Sequence, residues 1–250
     1  MNRQMIKKII SQLYLAAACV ELMMAICSEC KFEVPCSRFI LWGLLIIYGL
    51  KVVCNQYSVR EYIFLALLLF LGVLNYISGG VNAILKASIF LYALKGEDYK
   101  KIVRYLLRCL VAVSVIMYIR ALVLGANDLL YIHDVRPDRG FNGIRYTFGH
   151  TNPNRFMGSL FTAIMMLLCI LHPRSKKTLI ISGICMLVTV MFYYFTDTRT
   201  VFGLILCTLG LYNIVGWINR KWMNKLITGF FWGEFCYRSD VICFGIMSCK

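Results

Sequence analysis

Acidic residues are scarce in this sequence of 250 residues, which has 12 Asp and Glu against 27 Lys and Arg and a formal net charge of +15. Charged residues of both signs make up only 16% of the chain, whereas hydrophobic residues make up 60% and the mean hydropathy is +0.71. Such a composition excludes an ordinary soluble domain. It is typical of a polytopic membrane protein that is embedded in a lipid bilayer.

Motifs for nucleotide chemistry are also missing. The sequence contains no Asp-x-Asp pair, which argues against a transferase that uses a metal ion and a nucleotide sugar. It contains no Walker-type loop either, which argues against ATP-driven transport. Because these motifs are missing, we expect no cofactor.

The first apolar run lacks a small-residue cleavage site and is expected to stay as a signal anchor.

The excess of positive charge does not indicate a protein that binds nucleic acid. Most Lys and Arg residues lie in short loops beside apolar runs. The positive-inside rule and the attraction of anionic lipid headgroups account for basic residues in such places. We expect the lipid bilayer, and no nucleic acid, as the partner of these loops.

The 12 cysteines form no recognisable framework. Six of them lie within apolar runs, where cysteine behaves as a small hydrophobe. Cys27 and Cys30 form a C-x-x-C pair with Cys36 nearby, but no second pair with histidine completes a zinc site, so we expect no metal. A disulfide among these three residues is an open alternative if their loop faces an oxidising side.

The apolar runs predict an all-α bundle of eight transmembrane helices over residues 1–227, each near the roughly 20 residues that cross a bilayer. The predicted spans are Ile9–Cys27, Phe39–Cys54, Tyr62–Ile77, the shorter Val81–Leu94, Tyr105–Leu124, Pro153–Leu171, Leu179–Phe195 and Val201–Ile218. With this count the basic loops all fall on one side, so both termini are expected to be cytoplasmic. The loop 125–152 is then outside.

Four charged residues fall within or near the ends of predicted spans. Lys51 lies at the inner end of its helix and is expected to extend its ammonium group to the cytoplasmic interface. Glu21, Lys86 and Arg120 fall in the outer half of the membrane on three helices, where charges usually pair or line a wet cavity. They predict a polar vestibule that opens outward, with Glu21 and Lys86 as a pair.

The densest polar stretch in the chain runs from Arg145 to Arg155, at the end of the outer loop. Asn152 can cap the helix that follows, and Pro153 suits its first turn. This arrangement places His150, Asn152 and Arg155 around a helix N-terminus, whose free N–H groups favour anions. The alternative is a capped helix whose arginine extends to the lipid headgroups. Residues 140–143 earlier in the loop are expected to form turns.

A second polar element, Thr196–Thr200, links the last two predicted spans and follows four aromatic residues, Phe192–Phe195. The aromatic run is typical of an interfacial belt and could also stack on sugars. The spans Pro153–Leu171 and Leu179–Phe195 are joined by a short basic turn, so they should pack as an antiparallel pair. We therefore expect Arg145, His150 and Arg199 to converge on one outer site.

Residues Tyr146–Asn154, followed by a span, a short basic loop, another span and Phe195–Thr200, resemble the Wzy-like polysaccharide polymerases of Gram-positive bacteria. These are similar to the O-antigen polymerase and O-antigen ligase families. The resemblance implies a multi-pass protein of the bacterial plasma membrane. Its substrate would be undecaprenyl-diphosphate-linked oligosaccharide, polymerised into capsular or exopolysaccharide at the outer face. It also implies a flippase and a chain-length regulator of the same pathway as partners.

The resemblance places functional arginines in outer loops, here Arg145 and Arg199, which would hold the departing diphosphate. His150 or Asp197 would act as the catalytic base. Further substrate contacts are expected from Glu21, Lys86, Arg120, Arg136, Arg139, Asn152, Asn154 and Arg155.

The end of the chain departs from the family pattern, which continues with a larger outer loop and further spans. Residues 228–250 form a cysteine-rich tail without a clear span. We expect a truncated or frameshifted reading frame with little or no polymerase activity. Two other functions stay open: a secondary transporter or flippase for lipid-linked glycan that uses the intramembrane charges, and a glycan ligase that uses the same outer residues.

Overall fold

The computed structural model describes residues 3–79, 83–136, 141–171 and 175–218, and within these ranges the regular structure is helical apart from one hairpin. Its helices are α1 (Arg3–Glu29), α2 (Ser37–Cys54), α3 (Val59–Gly79), α4 (Ala83–Ala93), α5 (Tyr99–Val123), α6 (Asn127–Leu130), α7 (Pro153–Ile170), α8 (Lys176–Thr196) and α9 (Arg199–Ile218). The strands β1 (Tyr131–Arg136) and β2 (Phe141–Tyr146) pair in antiparallel fashion. The predicted tail, residues 228–250, lies outside the described ranges.

Each of the eight predicted spans falls on one of these helices, which confirms the helical character of the chain. Among the described residues, α1, α3, α5, α7 and α8 are long and apolar enough to cross a bilayer. The remaining three, α2, α4 and α9, contribute shorter apolar segments. These helices define a membrane protein with several spans. The count of eight and the cytoplasmic termini stay predictions.

The hairpin within the outer loop is the main difference from the predicted fold. Turns were expected over residues 140–143, but Phe141, Asn142 and Gly143 belong to β2, where they pair with Arg136, Val135 and Asp134. The prediction of turns there is wrong for these three residues. The strand pairing gives their backbone N–H and C=O groups partners, which local turn chemistry does not foresee.

The chain divides into two compact units. The first contains α1 up to Ser28 together with Glu33–Leu106, which includes α2, α3 and α4. The second contains Glu29–Phe32 and, among the described residues, the chain from Leu107 to Ile218, which includes the hairpin and α7 to α9.

Aromatic rings form the centre of the first unit. Tyr14, Tyr48 and Phe90, one each from α1, α2 and α4, have ring centroids 5.3–5.6 Å apart. The Tyr48 hydroxyl donates to Oε2 of the buried Glu21 at 2.7 Å. Hydrogen bonding of this kind offsets the cost of removing the carboxyl group of Glu21 from solvent. Lys86 lies near enough to Glu21 to interact with it electrostatically.

Lys51 forms a buried ion pair. Its ammonium group bonds to Oε1 of Glu97, which follows α4, and only 8% of its side chain is exposed. Ser11 on α1 donates to the other carboxylate oxygen of Glu97 at 2.6 Å. Glu97 thus provides Lys51 with a partner within the unit, and the extension of Lys51 to the cytoplasmic interface stays a prediction.

The cysteine pair at the end of α1 is not cross-linked. Cys27 and Cys30 are buried, whereas Cys36 is exposed just before α2, and none of the three forms a disulfide. The disulfide alternative is thus not realised. Cys27 lies on the last turn of α1, and Cys30 follows the helix directly.

Helices α7, α8 and α9 pack on one another in the second unit. Phe156 in the first turn of α7 contacts Phe192 near the end of α8, with ring centroids 4.9 Å apart. The expected antiparallel arrangement of α7 and α8 is confirmed by this contact. Tyr212 on α9 donates to the carbonyl oxygen of Leu168 on α7 at 3.2 Å.

The predicted topology can be tested by labelling single cysteines with a membrane-impermeant thiol reagent. In a chain whose 12 native cysteines are replaced, we expect His133→Cys on β1 to react from outside intact cells and Lys177→Cys on α8 to react only after permeabilisation. Both positions are exposed. Equal labelling of the two, or the reverse pattern, would contradict the orientation.

Candidate functional site at the ends of α7 and α8

The predicted helix start is confirmed at the N-terminus of α7. Asn152 is the N-cap residue, and its side chain accepts a hydrogen bond from the backbone N–H of Asn154 at 2.8 Å. Pro153 occupies the first helical turn, where its missing N–H costs nothing. The cap fixes where the polar loop ends and α7 begins.

The loop before this cap has an unusual backbone. Phe148 has φ +48° and Gly149 has φ +85°, both in the left-handed region. A Cβ atom at Gly149 would lie 2.9 Å from Cα of Tyr118, so the loop lies directly against the backbone of α5. The N–H of Gly149 donates to the carbonyl of Leu129 at 2.7 Å. Only glycine meets both the conformational and the steric requirement here.

Arg145, the last residue but one of β2, joins the two polar motifs. Its Nε donates to the carbonyl oxygen of Thr196 at 2.7 Å, and its Nη2 donates to that of Asp197 at 3.3 Å. These carbonyls lie at the C-terminus of α8, which carries the negative end of the helix dipole. The Arg145 residue is only 3% exposed. Two motifs that are about 50 residues apart in the sequence thus meet at one place.

Asp197 and Arg199 lie at the exposed end of this arrangement. Asp197 has φ +45° and ψ +46° and ends α8 in the left-handed conformation, which Asp tolerates better than most residues. Its Oδ1 lies 3.6 Å from Nε of Arg199, the first residue of α9. The side chain of Arg199 is 62% exposed and that of Asp197 is 19% exposed. Arg199 therefore presents its charge to the surroundings, whereas Arg145 does not.

His150 lies in a buried polar cluster with Glu29 and Ser159. Its Nδ1 is 3.3 Å from the carbonyl oxygen of Phe148, and its Nε2 is 3.1 Å from Oγ of Ser159. Ser159 Oγ donates to Oε2 of Glu29 at 3.5 Å, and that oxygen is 3.9 Å from His150 Nε2. The side chains of His150 and Glu29 are 0% and 5% exposed. The backbone carbonyl of Glu29 also accepts from the N–H of Thr151 at 2.9 Å.

Aromatic rings from β2, α7 and α8 pack around Phe148 in the loop before α7. Phe148 contacts Phe156 and Phe192 with centroid distances of 4.6 and 5.2 Å. Tyr146 meets Phe195 edge to face at 5.7 Å, and these two rings are 42% and 39% exposed. The cluster gives the loop an apolar support, and it leaves two aromatic faces open beside Asp197 and Arg199.

The segment after α1 is attached to the same unit by two contacts. Lys31 donates to Oδ2 of Asp128 at 2.6 Å, and this ammonium group holds the pKa of Asp128 below its ordinary value. The guanidinium carbon of Arg120 lies 5.0 Å from the ring centroid of Phe32. Both contacts are solvent-exposed to a considerable degree, so they orient the segment more than they stabilise it.

The other predicted substrate residues lie on several elements. Asn154 is exposed and Arg155 is half-buried on the first turn of α7, while Arg120 is half-buried on α5. Arg136 ends β1 opposite Phe141, and Arg139 lies outside the described residues. Glu21 and Lys86 belong to the first unit. Within the described ranges, no three His, Cys, Asp or Glu side chains lie together as metal ligands would.

Sequence reasoning missed Glu29 and Ser159 as members of this site. Glu29 lies 130 residues before Ser159 and belongs to the C-x-x-C segment at the end of α1, where it had no evident partner in the sequence. Ser159 lies nine residues after His150, on the second turn of α7. A small polar residue at that point is a weak signal, because serine is common in membrane helices.

Comparison with protein-family models, with curated proteins and with solved structures finds no match to this chain. The resemblance to Wzy-like polymerases therefore rests on the two polar motifs and the order of the spans.

Gly149→Ala is expected to destabilise the protein because it adds a Cβ at φ +85° and within 2.9 Å of α5. Strain of this kind costs about 1–3 kcal/mol. Thermal unfolding of the purified protein, followed by fluorescence-detected size exclusion, should show a clearly lower midpoint. Gly203→Ala on α9, where no atom lies within 4 Å of the new Cβ, is the matched control. Its midpoint should be unchanged or higher, and equal loss in both variants would contradict the close contact.

Proposed function

We propose that this protein acts as a glycosyltransferase that polymerises undecaprenyl-diphosphate-linked oligosaccharide repeat units at the outer face of a bacterial plasma membrane. The product would be a capsular or exopolysaccharide. The observation that carries the proposal is the bonding of Arg145 to the carbonyls of Thr196 and Asp197. It unites the two motifs on which the resemblance depends.

The reaction needs few components. A hydroxyl of one lipid-linked repeat attacks the anomeric carbon of a second glycan, a glycosidic C–O bond forms, and the bond to undecaprenyl diphosphate breaks. The proton of the hydroxyl passes to a base, and the diphosphate leaves with the electron pair. Since the substrate already carries its leaving group, the site must supply mainly positive charge for the diphosphate and an acceptor for the proton.

Arg199 is the arginine that best suits the diphosphate. Its side chain is 62% exposed at the start of α9, and its guanidinium group can bind phosphate oxygens in bidentate fashion. Arg145 is buried, and two of its donors bond to α8 carbonyls. We therefore assign Arg145 to positioning the Thr196–Thr200 link, instead of the direct diphosphate contact expected from the sequence.

Asp197 is the better candidate for the base. Its carboxylate is partly exposed beside Arg199, and Arg145 holds its backbone. His150 is fully buried and already contacts Phe148, Ser159 and Glu29, so it cannot reach a glycan hydroxyl in this conformation. The geometry thus favours Asp197 over His150 for proton transfer.

Arg199→Ala is expected to weaken binding of undecaprenyl diphosphate by about 10- to 100-fold, the equivalent of one lost charge-assisted hydrogen bond. Arg199→Lys keeps the charge but loses the planar fork, so it should fall between the parent and the alanine variant. Binding to the full chain in nanodiscs can be measured directly and does not depend on turnover. Lys177→Ala at the opposite end of α8 is the control, and an equal effect there would argue against a diphosphate site at Arg199.

Arg145→Ala should act differently, because it removes the partner of the α8 carbonyls. We expect a loss of thermal stability of about 1–3 kcal/mol together with weaker binding, whereas Arg199→Ala should leave stability within about 0.5 kcal/mol, as for an exposed surface residue. Arg145→Lys can satisfy one carbonyl and should be intermediate. Normal stability of Arg145→Ala would remove this residue from a positioning role.

One observation favours a second function, a transporter or flippase for lipid-linked glycan. Glu21 is buried in the first unit, accepts a hydrogen bond from Tyr48 and lies near Lys86, which suits a group that couples proton or substrate movement. Proteoliposomes that contain a fluorescent lipid-linked glycan separate the alternatives. Movement of the glycan across the bilayer that is lost in Glu21→Gln would favour transport, whereas lengthening of the glycan would favour polymerisation. Transfer to another acceptor would identify a ligase.

A further inference from the structure

The buried polar cluster of Glu29, His150 and Ser159 has no part in the chemistry proposed above. Its three side chains are polar and nevertheless almost completely removed from solvent. The residues are 4%, 0% and 5% exposed. Removing a polar group from solvent costs free energy unless the group is hydrogen-bonded, and a buried charge must also be paired. The arrangement of protons that satisfies all three contacts determines the charge of His150.

The contact of His150 Nδ1 indicates where one proton of the ring lies. The carbonyl oxygen of Phe148 can only accept, so the Nδ1 atom 3.3 Å away must carry a proton. If His150 were neutral, Nε2 would have no proton and would accept from the Ser159 hydroxyl. The single proton of Ser159 could not then also bond to Glu29, so the contact between Ser159 and Glu29 would need a proton on the carboxyl group. Imidazole is a stronger base than a carboxylate, which favours the ring as the place for that proton.

The charged form removes this conflict. In an imidazolium ion, Nε2–H donates to Oγ of Ser159 at 3.1 Å, and the hydroxyl donates onward to Oε2 of Glu29 at 3.5 Å. The positive ring then lies 3.9 Å from a negative carboxylate oxygen. Among the described residues, the imidazole contacts Glu29 from α1, Ser159 and the ring of Phe156 from α7, and the Phe148 carbonyl from the loop. Burial strengthens the attraction between the two charges.

Backbone hydrogen bonds also tie the loop to Glu29. The N–H of Thr151 donates to the backbone carbonyl of Glu29 at 2.9 Å, and the N–H of His150 donates to the carbonyl of Thr147 at 3.0 Å. Arg145 precedes His150 by only five residues on the same segment. A loop held at His150 therefore leaves little freedom for the strand end that carries Arg145.

We propose that Glu29 and Ser159 are positioning residues that keep His150 as an imidazolium ion, and that this ion pair fixes the loop that brings Arg145 to the C-terminus of α8. The charge state and the loop position rest on these contacts and on the greater basicity of imidazole, whereas any effect on glycan chemistry rests on the proposed function.

The charge of His150 can be read by nitrogen NMR. The full chain with His133→Asn and His172→Asn, labelled with ¹⁵N-histidine in nanodiscs, contains His150 as its single imidazole. We expect both ring nitrogens to carry protons at pH 7. In Glu29→Gln the ring should become neutral, with the proton retained on Nδ1 facing Phe148. A neutral ring in the parent, or an imidazolium ion that persists in Glu29→Gln, would overturn the proposal.

Glu33→Gln is the matched control, since it removes an exposed carboxylate four residues further along and should leave the ring signals unchanged. Loss of the imidazolium signal in this variant as well would show a general charge effect and overturn the specific role of Glu29. If Glu29→Gln does not fold, Ser159→Ala, which keeps both charges and deletes one oxygen, takes its place. Its ring should lose the proton at a lower pH than in the parent, and an unchanged titration would count against the bridge.

Amide hydrogen exchange tests whether Glu29 restricts opening of the loop. The amides of Thr147, Gly149 and Thr151 bond to the carbonyls of Leu130, Leu129 and Glu29. In Glu29→Gln they should exchange at least about tenfold faster, because the loop opens locally more often. Amides in the middle of α9 should keep their rates. Unchanged loop exchange would refute the positioning role, and neither this result nor the NMR result depends on whether the protein polymerises glycan.

Discussion

The hydrogen bonds of Arg145 to the end of α8 determine how the second unit presents its polar residues. A helix C-terminus exposes carbonyl groups that have no partner within the helix, and a buried guanidinium group needs acceptors. Each therefore satisfies a requirement of the other. Leaving either one unsatisfied would cost about 1–3 kcal/mol, and more for the charged group. This mutual dependence brings β2, α8 and the start of α9 together and gives Asp197 and Arg199 their positions.

Two residues with left-handed backbone, Gly149 and Asp197, help to bring Arg145 and the end of α8 together. Asp197 turns the chain out of α8 so that α9 begins two residues later, and Gly149 lets the loop lie on α5 before α7 begins. Regular extended or helical backbone would carry the chain away from the end of α8 at both points. The local geometry thus places a buried cation and an exposed cation, Arg145 and Arg199, on opposite sides of one short link. Burial distinguishes these two residues, although they have the same side chain.

The sequence was a good guide wherever a feature depends on local physics. Hydrophobic runs located every long helix, and the Asn152-Pro153 signal located the start of α7. The pairing of α7 with α8 followed from the short basic connection between them. The hairpin was missed because the pairing of Phe141–Tyr146 with Tyr131–Arg136 depends on a partner strand instead of on the turn residues themselves. The partner of Lys51 was missed for a similar reason, since Glu97 lies 46 residues away.

The site shows the same division between local and distant information. Residue types indicated that Arg145, Asp197 and Arg199 matter, but only the fold distinguishes the buried arginine from the exposed one. Glu29 could not be found from the sequence, because its partners are provided by a loop and a helix that lie more than 100 residues away. A carboxylate at the end of an apolar helix has an ordinary interpretation as an interfacial residue. The low exposure and the network of three contacts are what make Glu29 unusual, since a carboxylate buried beside an imidazole is stable only if the two groups share their charge and their protons.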